Sequence, residues 1–178
     1  MVVMAWTTSF ACAKPAQVIL IRHAEKPPEG NGLSPKGVER AAALAPFFMS
    51  RPEVLQFKTP VAIYAQKSTK GRPSERPVQT VQPLADALKL TVQTFAHNDF
   101  ATMVDEINAK PEYEGKMVLI AWEHNALVDI ARQFGAKDAP NDWPGKSFDR
   151  CWVITFPKDG KPTFRNLPQK LMFGDSAD

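Results

Sequence analysis

An apolar, β-branched run from Val18 to Ile21 ends directly in Arg22 and His23. Such a run reads as a buried strand, and ligands of open α/β sheets collect just beyond the carboxyl ends of their strands. A cationic pair at that place is costly to desolvate unless an anion meets it. A second run, Met117 to Trp122, repeats the design and ends in Glu123 and His124. The chain holds three histidines, and two of them close such runs, so a strand-end arginine reaching for water beside a surface histidine is the poorer account of either segment. Between the two runs, Ser74 to Leu88 reads as a loop opening into an amphipathic helix, with Arg76 at its mouth and Pro77 in the first turn.

Four separated stretches then form a pattern: Arg22-His23-Ala24-Glu25; Leu33 to Gly37 followed by Arg40-Ala41; Arg76 to Thr80 followed by Pro83 to Ala85; and Glu123-His124-Asn125. In this order, over roughly residues 18–130, the sequence resembles the histidine phosphatase superfamily, also called the phosphoglycerate mutase-like fold. The resemblance implies that His23 attacks phosphorus and is transiently phosphorylated, while Arg22, Arg76 and His124 hold the phosphoryl oxygens. It implies a metal-independent phosphatase without a cofactor. The substrates would be phosphomonoesters or phosphoramidates, carried by a phosphorylated small molecule or a phosphoprotein. The chemistry is physically coherent: guanidinium groups beside an imidazole favour its unprotonated form, and their forked donors neutralise charge spread over phosphoryl oxygens. Two rivals stand beside it: a phosphotransferase or mutase that passes the phosphoryl group to a second substrate oxygen, and a non-catalytic phosphate- or protein-binding module on the same fold.

The leaving-group acid is harder to place. Mutase-type members carry a glutamate between the second arginine and the second histidine, but Phe95 to Phe100 offers no obvious equivalent. Members resembling acid phosphatases place an aspartate directly after the second histidine, where this chain has Asn125. Glu123 is the candidate by proximity, although neighbours at the end of an extended strand point to opposite faces, which would make it structural. Asp99 and then Glu25 follow, and His97 is read as a surface loop residue without a role. An enzyme with no such acid would favour phosphoramidates and acyl phosphates, whose leaving groups need less help than an alkyl oxygen.

The elements that must position these residues alternate. The pattern gives strands at Val18–Ile21, Val61–Ala65, near Leu90–Phe95, from Met117, at Cys151–Phe156 and at Thr163–Asn166. Helices are expected from Pro35 toward Met49 with Ser34 as N-cap, from Arg76, around Thr102–Ala109, and over Ala126–Phe134. Such alternation indicates a three-layer α/β/α sandwich around a mostly parallel sheet. With 178 residues, 44% of them hydrophobic, the chain suits a single domain over residues 17–178. A net charge of +3, with no basic, aromatic-interleaved stretch, argues against a nucleic-acid partner. Lys67, Lys70 and Arg72 read as a solvated basic loop that could steer a polyanion toward the site.

Residues 1–16 read as a signal-like or disordered segment, with Ala11-Cys12-Ala13 ahead of Lys14 similar to a signal-peptidase site but without a basic n-region. On that reading the compartment is periplasmic or extracellular, with the cytoplasm as the alternative. The run is too short and polar to be a transmembrane segment. Cys12 and Cys151 suggest no disulfide framework, and Cys151 reads as buried in its strand.

Overall fold

All six residues of β1 (Gln17–Arg22) and all six of β4 (Met117–Trp122) are buried, as strands covered on both faces must be. These two strands lie side by side in parallel at the centre of a six-stranded sheet, described with the rest of the chain by a computed structural model over residues 14–176. Residues 1–13 of the signal-like segment, Cys12 among them, fall outside the described residues, while the Ala16 N–H donates to the Lys116 carbonyl at 2.8 Å. β2 (Ala62–Gln66) and β3 (Val92–Phe95) extend the parallel part of the sheet beyond β4, while β5 (Arg150–Thr155) and β6 (Thr163–Pro168) form an antiparallel hairpin beyond β1. The strand order is therefore β3-β2-β4-β1-β5-β6, with the partly exposed strands β3 and β6 at the edges.

Alternate side chains of each central strand serve opposite faces. Ile19, Ile21, Ile63, Leu119 and Ala121 pack under α1 (Pro35–Ser50) and α2 (Arg76–Leu88); Val18, Leu20, Tyr64 and Ile120 pack under α3 (Phe100–Ala109) and α4 (His124–Gln133). The three-layer α/β/α sandwich expected from the alternation is the observed one. Element ends moved by one or two residues in most places. The informative shift is in α4, which begins at His124 instead of Ala126, because the Glu123 carboxylate accepts the Asn125 amide and acts as the N-cap. Glutamate ranks well below serine, threonine, aspartate and asparagine as a cap, so this start carries little sequence signal. Ser34 caps α1 as expected, its hydroxyl accepting the Gly37 N–H at 3.1 Å.

α1 is locked to the segment after β1 at two points. Gly37 lies so close to that segment that a Cβ would stand 2.3 Å from the Glu25 carbonyl oxygen, so only glycine fits. One turn on, Arg40 is 2% exposed and bridges Glu25 at 2.8 Å and Asp175 at 2.6 Å, with a further hydrogen bond to Gln169 at 3.1 Å. Glu25, the third candidate acid, is thus the ion-pair partner of a buried arginine. Burial alone would raise the Asp175 carboxyl; hydrogen bonds from Arg40 and from the Met172 and Leu171 amides outweigh it and hold it at about 2. A carboxyl depressed on folding stabilises above its unfolded value, near 3.8, and that contribution is lost as the pH falls toward 2. Between those limits the wild type is expected to lose stability more steeply than Asp175→Asn, measured by denaturant unfolding at each pH; identical slopes would contradict the assignment.

Candidate active site

β1 and β4 run in parallel with Arg22 opposite Trp122, and the His23 N–H continues the ladder to the Trp122 carbonyl at 3.1 Å. The helix following β1 covers one face of the sheet and the helix following β4 covers the other, so the two strand ends form the switch point at which ligands of open α/β sheets collect. His23 is 3% exposed, and its Nδ1 lies 2.7 Å from the Ala24 carbonyl oxygen. A carbonyl only accepts, so the neutral ring carries its proton on Nδ1 and leaves the lone pair on Nε2. Burial pushes the imidazole down to about 4, against the Ala24 hydrogen bond and assisted by Arg22, Arg76 and His124. At neutral pH the ring is an uncharged imidazole beside the guanidinium groups of Arg22 and Arg76.

Arg22 is held from the opposite wall. Its Nη1 donates to the carbonyls of Gly145 at 2.7 Å and Ser147 at 3.2 Å, and its guanidinium stacks 3.9 Å from the centre of the Phe148 ring. Burial, opposed by Glu123, brings Arg22 down to about 10, which leaves it charged at neutral pH. The same loop passes over the second histidine, since a Cβ on Gly145 would lie 3.6 Å from His124 Nε2.

Arg76 opens α2, and its Nη1 donates to the Gly30 carbonyl at 3.0 Å. Gly30, at φ 96°, turns that carbonyl inward through a conformation suited to glycine. The buried Thr80 hydroxyl donates to the Arg76 carbonyl at 2.7 Å and accepts the Ala24 N–H at 2.8 Å. One hydroxyl therefore ties the residue carrying the second guanidinium to the residue next to His23. Among the described residues, the Nε atoms of Arg22 and Arg76 are both buried without a hydrogen-bond partner, a donor pair suited to an anion's oxygens.

Glu123 Oε1 accepts from the Asn125 backbone at 3.3 Å and from its Nδ2 at 2.7 Å, and lies 2.9 Å from His124 Nδ1 without hydrogen-bond alignment. His124 is pushed below the ordinary imidazole range by burial and Arg22, with Glu123 opposing. Gln66, the last residue of β2, accepts the Glu123 N–H at 3.3 Å. His97, expected on an open loop surface, is instead largely buried against Gln66 and Glu123. Asp99 is exposed, as are Lys67, Lys70 and Arg72. No group of three or more His, Cys, Asp or Glu side chains among the described residues is arranged to hold a metal ion, and no helix there is long and apolar enough to cross a membrane.

No protein-family model and no curated protein sequence matches the chain. Solved structures do. The protein histidine phosphatase SixA, in complex with tungstate, superposes with a TM-score of 0.64 at 15% identity, over 86% of this chain and 97% of its own. A phosphoglycerate mutase from Bacillus anthracis gives 0.55 at 12% identity, over 88% and 94%. A mycobacterial glucosyl-3-phosphoglycerate phosphatase with inorganic phosphate gives 0.53 at 14% identity, over 85% and 95%. The chain has the histidine phosphatase fold. Within that fold the structure brings together Arg22, His23, Arg76, Glu123 and His124, drawn from the ends of β1 and β4 and from the start of the helix after β2. The sequence expectations did not include the two hydrogen bonds of the Thr80 hydroxyl, Gln66, the burial of His97 or the loop from Gly145 to Phe148. Gln66 had a usable signal, being a polar residue that closes a buried strand as Arg22 does. The Gly145–Phe148 loop had none, because its contacts with Arg22 span more than 120 residues of sequence.

Proposed function

We propose that the protein is a metal-independent phosphatase that hydrolyses phosphomonoesters or phosphoramidates through a phosphohistidine on His23. The observation that carries this reading is the buried, neutral His23 with Nε2 free, in the electrostatic field of Arg22, Arg76 and His124. His23 Nε2 attacks phosphorus as the bond to the leaving oxygen or nitrogen breaks; water then attacks the phosphohistidine, releasing phosphate and restoring the ring. Charge on the transferring group rests on its equatorial oxygens, and the two guanidiniums with His124 are positioned to receive it. Glu123 acts at one remove in this scheme: its Oε1, occupied by Asn125 and 2.9 Å from His124 Nδ1, favours the imidazolium form of His124, whose Nε2–H donates to a phosphoryl oxygen. SixA, the mutase and the mycobacterial phosphatase support a phosphoryl-transfer reading by their fold.

The test is phosphate release by the full chain from an aryl phosphate, a phosphosugar and a phosphohistidine peptide, with and without chelator and vanadate. Turnover of at least one substrate, indifferent to chelator and blocked by vanadate, is expected. Loss of activity in chelator restored by a divalent metal would contradict the reading. Transfer of the phosphoryl group to a second substrate oxygen in preference to water would identify a mutase instead.

A further inference from the structure

His97, the one histidine that the scheme above does not use, follows β3 in a short 3-10 turn, at the same carboxyl edge of the sheet that carries the other site residues. Its side chain is 13% exposed, so it is not a solvated loop group. Nδ1 lies 3.3 Å from Gln66 Oε1, the oxygen that also accepts the Glu123 backbone N–H. That backbone donor fixes the orientation of the Gln66 amide. The atom facing His97 is therefore an acceptor, Nδ1 carries a proton, and Nε2 is the nitrogen free for other work. Glu123 Oε2 is buried, has no hydrogen-bond partner among the described residues, and lies 3.9 Å from His97 Nδ1. Oε1 of the same carboxylate lies 2.9 Å from His124 Nδ1. One carboxylate thus stands between two imidazoles.

Resting on the phosphatase reading, we propose that His97 is the general acid that protonates the leaving oxygen, with Glu123 as the positioning residue between it and His124. As the His23 Nε2–P bond forms and the P–O bond breaks, the bonding electron pair leaves on the ester oxygen, which takes the proton from His97 Nε2. In the second half, neutral His97 takes a proton from the water that attacks phosphorus, and the starting imidazolium is restored. The sum is ester plus water giving alcohol plus phosphate. Glu123 is the poorer donor because a proton on its carboxyl would remove the charge facing both imidazoles. The charged groups facing His97 are Glu123 from the end of β4 and Arg72 from the β2–α2 loop. Burial and Arg72 place the ring below its usual value, with Glu123 opposing. Hydrolysis of esters with poor leaving groups should accordingly decline as pH rises through the acid range, while aryl phosphates should lack that limb.

The experiment compares wild type with His97→Gln and His97→Asn, using 4-nitrophenyl phosphate and glycerol 1-phosphate as probes. Loss of about a hundredfold or more in kcat/KM on the glycerol ester, with less than about a threefold loss on the aryl ester, is expected for removal of a general acid. Retained aryl kcat/KM, which reports only the steps through departure of the aryl group and not the later attack of water, also shows that the variants fold. Equal losses on both substrates, or none on either, would overturn the assignment of His97 and leave the phosphatase reading standing. A wild type that hydrolyses neither probe nor a phosphohistidine peptide would take both down together.

Discussion

His23→Ala is expected to abolish phosphate release from every substrate the wild type turns over. The variant loses the only nucleophile in the scheme, and the remaining cradle can bind an anion without forming a bond to phosphorus. Because His23 is buried and its Nδ1 proton is held by the Ala24 carbonyl, alanine also removes a packing and hydrogen-bonding element. His23→Asn, which keeps an amide donor in place of Nδ1–H, separates chemistry from folding and should be equally inactive. The neutral ring also sets a pH limb. Below about 4, His23 is protonated and its lone pair is lost, so kcat/KM should rise with pH through that value, as a free-enzyme titration must appear. Undiminished turnover by either variant would end the mechanism.

Arg76→Ala should cost about two to three orders of magnitude in kcat, the usual loss when one strong donor to transition-state charge is removed. Arg76 is a cleaner test than Arg22. The Arg22 guanidinium also anchors the Gly145–Phe148 loop through two carbonyls and a ring, so its removal perturbs a wall of the site. Arg76 gives one bond to the Gly30 carbonyl, and its backbone stays fixed by Thr80 whatever the side chain. Arg76→Lys should recover only part of the loss, since an ammonium supplies charge without the planar fork. A loss below about tenfold for Arg76→Ala would show that this guanidinium does not meet the transferring group.

The parts of the site legible in sequence were those written within one element. The apolar runs ending in Arg22-His23 and Glu123-His124, the Ser34 cap and the Arg76 helix start each follow from local periodicity and capping, and each stands where that logic puts it. What stayed hidden depends on register and long-range packing. Neither the Thr80 hydroxyl's reach to Ala24 nor the Gly145 carbonyl's reach to Arg22 has a local correlate. His97 looked solvated because its neighbours Asn98 and Asp99 are polar, yet parallel pairing of β3 with β2 carries it to Gln66 and Glu123. The Gln66, Glu123 and His97 contacts join three strand ends, and only the sheet order β3-β2-β4 makes them neighbours.

The most direct test of the central claim is to quench wild-type enzyme in alkali during turnover of a phosphorus-labelled substrate and map the labelled peptide. Stoichiometric label is expected on the peptide containing His23, stable in alkali, released in acid and absent from His23→Asn. Sustained turnover with no protein-bound label, or an acid-stable label on another residue, would contradict it.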